Sequence, residues 1–145
     1  MFFGEYLHSL DNKGRLMIPS KIREHLNTYQ TLYVLKGFEG CISIYEEEDF
    51  QKLVNSLDDY SYNLETARHY KRSVLASVVD LKIDKLGRIQ LPISLLEKYQ
   101  IGKDVMVIGV GDHFELWDLN SYQKYQESIA GKFEEFAASL DKNER

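Results

Sequence analysis

One nine-residue phrase is written twice, and it limits what this chain can fold into. The first copy is Asp11-Asn12-Lys13-Gly14-Arg15-Leu16-Met17-Ile18-Pro19. The second, 73 positions later, is Asp84-Lys85-Leu86-Gly87-Arg88-Ile89-Gln90-Leu91-Pro92. Acid, turn glycine, arginine, alternating apolar pair and proline recur in the same order. Repetition of this kind marks a chain built from two copies of one supersecondary unit.

The flanks repeat the same plan. Tyr6 to Ser9 reads as an extended piece and Lys13-Gly14 as a hairpin-type turn, since glycine tolerates positive φ. Leu16-Met17-Ile18 resumes as strand. Pro19 ends it, because proline cannot donate to a ladder and suits a first helical turn. Ile22 and Leu26 give a short helix one apolar stripe, with Lys21 and Arg23 pointing away from it. Thr31 to Lys36 and Cys41 to Tyr45 are strands around the turn Gly37-Phe38-Glu39-Gly40. A helix follows, with Phe50, Leu53, Val54 and Leu57 on one face. A second helix, from about 64 to 78, links the halves, with Ala67, Tyr70, Val74, Leu75 and Val78 inward. The second half then spells strand, turn, strand, short helix, strand and strand again up to Trp117. From Tyr122 to Leu140 an apolar stripe in steps of three and four predicts one long terminal helix.

The expected class is therefore α+β. Each half reads β-β-α-β-β-α, with residues 1–57 as the first, 58–79 as the linking helix, 80–120 as the second and 121–145 as the C-terminal helix.

Composition narrows the function. At 145 residues and 43% hydrophobic content the chain can bury a core. It holds no apolar run of the ~20 residues a membrane helix requires. One cysteine, Cys41, cannot form an internal disulfide, which fits a reducing cytoplasm, and a small buried apolar role suits it. The four histidines show no metal-ligand spacing, so neither metal nor cofactor is expected. No nucleophile–base pair stands out, which argues against an enzyme. The net charge of −5 argues mildly against nucleic acid. From 12 to 23, however, Lys13, Arg15, Lys21 and Arg23 occur without one acid. Screening over ~8–10 Å lets such a basic face act against a negative average.

In each phrase the aspartate and the arginine come together around the turn. The guanidinium is a planar fork that grips a carboxylate, a phosphate, or guanine N7 and O6. A two-stranded ribbon fits the major groove of DNA, and Lys13 or Lys85 could add a phosphate contact. A plainer reading stands beside this one: Asp11 and Asp84 lock Arg15 and Arg88 as scaffold. Both hold together if the acid orients the arginine that reads the ligand.

Two such phrases, with Phe2-x-Gly4, Gly40-Cys41, Phe114-Glu115-Leu116-Trp117 and Arg72 in the linking helix, resemble the MraZ family. The likeness covers about Phe2 to Tyr125. It implies two tandem AbrB-like, swapped-hairpin units joined in a pseudo-symmetric β-barrel-like domain with flanking helices. It also implies a cytoplasmic, nucleoid-associated transcriptional regulator. Such a regulator binds double-stranded DNA at promoter direct repeats upstream of the division and cell-wall gene cluster, as a homo-oligomeric ring of roughly eight subunits. The DNA-binding candidates are Arg15 and Arg88, then Lys13, Lys85, Lys21 and Arg23. Asp11 and Asp84 orient the arginines, and Gly14 and Gly87 form the turns. Ser94 and Leu96 stand where the first half has Lys21 and Arg23, which favours the first half as the DNA face. The alternative is an antitoxin-like or assembly module that grips protein through the C-terminal stripe and does not bind DNA.

Overall fold

Among the described residues fourteen elements follow one another. The computed structural model describes residues 1–143. Strands β1 (Glu5–Ser9) and β2 (Arg15–Met17) lead to helix α1 (Ser20–Arg23), strands β3 (Thr31–Lys36) and β4 (Ile42–Glu46), and helix α2 (Glu47–Leu57). Helix α3 (Glu65–Ala76) is the link. The order then recurs as β5 (Val79–Lys82), β6 (Arg88–Gln90), α4 (Ile93–Lys98), β7 (Asp104–Gly109), β8 (Phe114–Asp118) and α5 (Leu119–Ser128), with α6 (Phe133–Asn143) last. No helix among the described residues is long and apolar enough to cross a membrane.

The strands form an antiparallel six-stranded sheet in the order β1-β7-β8-β4-β3-β5 and a separate two-stranded ribbon, β2-β6. The halves are interleaved. β1 pairs with β7 of the other half, Tyr6 opposite Val107, and β5 pairs with β3, Leu81 opposite Leu32. The ribbon joins the two repeat phrases, Leu16 opposite Ile89. The turn at Gly14 therefore closes no β1–β2 hairpin, contrary to expectation: each of its arms finds its partner in the other half.

Alternation along the strands makes three layers. Leu32, Val34, Ile42, Ile44, Val105, Val107, Phe114 and Leu116 point to one face, where Leu16, Ile18, Ile22, Ile89, Leu91, Leu95 and Leu96 from the ribbon and α1 and α4 cover them. On the other face Leu35 and Tyr45 meet Phe50, Leu53, Leu57 and Val74 of α2 and α3. Beside them Cys41 and Trp117 meet Tyr122 and Tyr125 of α5. Burial and the carboxylates of Glu115 and Glu39 push the Cys41 thiol far above its usual range, so it packs as an apolar group.

Three further expectations are corrected. The sheet is open, not a closed barrel, with β1 and β5 as its edges. β2 and β6, three residues each, pair only with one another and leave those edges unjoined. The single C-terminal helix is two, α5 and α6, separated at Gly131, whose φ of 77° lies outside the helical region. The end of that expected helix, 144–145, lies outside the described residues. Tyr70 and Leu75 of α3, expected inward, are 38% and 37% exposed, because only Val74 of this helix is buried on the sheet.

Candidate nucleic-acid interface

Each repeat phrase is a carboxylate-capped turn. Asp11 Oδ1 accepts the backbone N–H groups of Lys13 and Arg15, both at 2.9 Å, and Oδ2 accepts Arg15 Nε–H. Asp84 does the same for Leu86 and Arg88 at 2.9 Å and for Arg88 Nε at 2.8 Å. An aspartate bonding its own backbone two residues on is the usual way to hold such a turn. The N–H of each turn glycine donates to its aspartate carbonyl at 3.0 Å.

Gly14 and Gly87 are required twice over. Their φ angles are 76° and 86°, which side chains rarely adopt. A Cβ on Gly14 would lie 2.6 Å from the Leu91 carbonyl oxygen, and one on Gly87 would lie 2.6 Å from Arg23 Cδ.

The two turns clasp each other. Ile18 N donates to the Gly87 carbonyl at 3.1 Å, and Leu91 N donates to the Gly14 carbonyl at 2.9 Å. Gln90 Nε2 adds a bond to the Lys13 carbonyl at 3.2 Å. In the ribbon Arg15 faces Gln90 and Met17 faces Arg88, while Leu16 and Ile89 between them are buried. Both arginines therefore rise from one outer face as diagonal neighbours, about 7–8 Å apart by strand geometry.

The electrostatics follow from this arrangement. Hydrogen bonds from Arg15, its backbone first and then its side chain, hold the Asp11 carboxyl below its usual range. Burial pushes Asp84 upward, but hydrogen bonds from the Arg88 backbone and side chain outweigh it and the carboxyl also lies low. Each acid takes only the Nε of its arginine. Among the described residues no hydrogen bond holds the two terminal amino groups of either guanidinium. Residues 11–23 and 84–90 together carry six cations and two acids, against −5 for the whole chain.

The remaining candidates divide. Lys13 and Lys85 are exposed and make no ion pair among the described residues. Lys21 is exposed beside Glu24, at 4.0 Å. Arg23 is different: Nη1 donates to the Ile18 carbonyl at 2.9 Å and meets Met17 Sδ at 3.1 Å, while its stem covers Gly87. It is a clamp on the opposite turn. Leu96 fills the corresponding place against Gly14, 3.3 Å from where a Cβ would stand. Sequence reasoning missed this role, although the exchange of Arg23 for Leu96 between the repeats was its only trace. It also missed His8, which burial and then the Arg23 guanidinium hold below the ordinary imidazole value.

Interleaved halves that share one ribbon and present two acid-held arginines from it define a tandem-repeat α+β protein. The family described as "MraZ protein, putative antitoxin-like" matches twice, over residues 1–73 and 75–143. A "Transcriptional regulator MraZ" of Mesoplasma florum is 43% identical over 97% of this chain and 95% of its own length. One of Mycoplasmoides gallisepticum is 37% identical over 97% and 98%. The chain belongs to the MraZ family. Among solved structures, the solution structure of PHS018 from Pyrococcus horikoshii superposes with a TM-score of 0.38 at 12% identity, covering 79% of this chain and 96% of that one.

Proposed function

We propose that this chain is a non-enzymatic transcription regulator that lays its β2–β6 ribbon into the major groove of promoter DNA. The observation that carries the reading is the pair of arginines on one ribbon face, each steered by an aspartate through Nε with its terminal amino groups unengaged. A guanidinium held this way keeps a two-pronged edge for guanine or phosphate. Lys13, Lys85 and Lys21 supply phosphate contacts around it, and Arg23 supports the fork from behind.

One such ribbon is small, so a lone subunit binds weakly. A ring of roughly eight copies over direct repeats spaced near one helical turn, ~10 base pairs, engages several together. Linked sites raise the apparent affinity ~100-fold or more without new contacts. The targets on this reading are the repeats upstream of the division and cell-wall cluster, as the family resemblance implies.

A gel-shift titration on that promoter DNA tests the proposal. Arg15→Ala and Arg88→Ala each cost about 1–3 kcal/mol per engaged site. Lys21→Ala lowers the salt slope by about one with sequence preference unchanged. Unchanged affinity in both arginine variants removes the ribbon from the contact surface.

A second reading, protein gripping through the C-terminus, is favoured by one observation: Phe133, Phe136 and Leu140 of α6 are 84%, 45% and 59% exposed. Deleting 120–145 separates the two. Loss of a protein partner, in a chain that does not bind DNA even when intact, supports the second, and loss of assembly first with the basic loops still able to bind DNA supports the ring.

A further inference from the structure

The β2–β6 ribbon has two unlike ends, although the phrases that build it are repeats. Its outer face carries four side chains: Arg15 opposite Gln90, and Met17 opposite Arg88. The 73-residue offset of the repeats exchanges Arg15 with Arg88 and Met17 with Gln90. We propose that Gln90 and Met17 are specificity-determining residues: Gln90 reads an adenine beside one arginine, Met17 meets a thymine methyl beside the other, and the chain therefore lies on DNA in one direction only. This rests on the ribbon entering the major groove, and adds to that reading two base preferences and a polarity.

Identical copies around a local twofold would present the same pattern from either end. The arginines obey that symmetry, each with its aspartate on Nε. Two equal forks alone would let the ribbon bind a duplex equally well turned end for end. The other diagonal breaks the symmetry. Beside Arg15 stand Gln90 and, at the turn tip, Lys13; beside Arg88 stand Met17 and Leu86. Gln90 and Lys13 are exposed, Met17 is 37% exposed and Leu86 is 55% exposed. One end is therefore polar and the other apolar. Leu16 and Ile89, buried between the outward residues, keep this alternation from slipping.

Each of the two groups is held in place and keeps a surface for a ligand. Gln90 Nε2 donates to the Lys13 carbonyl at 3.2 Å, and the side chain makes no other hydrogen bond among the described residues. A second N–H and the amide oxygen remain, the donor and acceptor that adenine N7 and N6 require. Met17 is steadied by Arg23, whose Nη1 lies 3.1 Å from its sulfur, and offers only an apolar surface. The thymine methyl is the apolar mark of the major groove, and such a side chain suits it. Side chains directly opposite in a ribbon stand ~4.5–5.5 Å apart, between one and two base steps of ~3.4 Å, so the bases read by Gln90 and Met17 adjoin those read by the arginines.

The test is a selection by the full chain from a pool of random-sequence duplexes at low salt, followed by gel shifts on the enriched duplexes. The expected motif contains guanine, differs from its own reverse complement, and loses about tenfold in affinity when the adenine facing Gln90 is replaced. Gln90→Met should abolish that discrimination and keep the guanine preference, whereas a merely structural role would weaken every sequence alike. Met17→Gln should add an adenine at the mirrored position and turn the motif into its own reverse complement. A thermal melt checks each variant; if one does not fold, the other and the motif of the unaltered chain decide. A self-complementary motif from the unaltered chain, or one motif shared by all three chains, overturns the proposal and leaves the ribbon reading standing. No enrichment at all, or a motif unchanged by Arg15→Ala and Arg88→Ala, overturns the ribbon reading and this inference with it.

Discussion

Arg15 and Asp11 show how much one residue pair carries. The carboxylate holds two backbone N–H groups and one guanidinium nitrogen, so turn and fork are fixed by the same side chain. Its pKa is depressed in the folded chain, as is that of Asp84. The unfolded chain therefore binds more protons, and the contribution is complete above the ordinary value of 3.8 and lost as pH falls through the folded value. Acid titration followed by circular dichroism should show this loss below that point, and Asp11→Asn with Asp84→Asn should flatten it. At Arg23 the expectation differs. Arg23→Ala should lower stability by about 1–2 kcal/mol in a denaturant melt, since it removes a part-buried charged hydrogen bond and the cover over Gly87. A pure phosphate contact would leave the melt unchanged.

At the scale of elements, the sequence disclosed whatever local chemistry decides. Asp-x-x-Gly-Arg named the turns because only an acid and a glycine at that spacing make them, and β3 came out with the bounds that its strand formers suggested. Partners were not legible. Nothing in Tyr6 to Ser9 says that β7 rather than β2 lies beside it, because pairing between halves is settled by the whole core. The apolar stripe from Tyr122 to Leu140 passed smoothly over the helix break, since a periodicity cannot see one φ angle; Gly131 was the available signal. The stacking of His113 on Tyr45 was illegible too, because the two meet only once β4 pairs with β8. Two glycine replacements separate packing from conformation. Gly14→Ala forces a Cβ onto the Leu91 carbonyl at positive φ and should cost at least about 2 kcal/mol in a thermal melt. Gly131→Ala meets nothing within 4 Å and lies before a helix outside all three buried clusters, so the main transition should not move.

For the whole molecule, the governing fact is that the ribbon and both ends of the six-stranded sheet are made by strands from opposite halves. A net charge of −5 with a basic ribbon face also makes ionic strength the natural control. Binding to promoter DNA should fall linearly on a log–log plot of affinity against salt, with a slope that shrinks when Lys13 and Lys85 are both neutralised.

The mutual clasp of Gly14 with Leu91 and Gly87 with Ile18 has an ancestral corollary. A polypeptide containing one phrase alone has every bond of that clasp half-made, and another identical polypeptide offers the other half. Residues 1–78 expressed by themselves should therefore sediment as a twofold pair or stay unstructured, never as a folded single chain. Joining two copies in one chain turns that encounter between molecules into a fold that needs no search, and lets the copies differ, as Arg23 and Leu96 do.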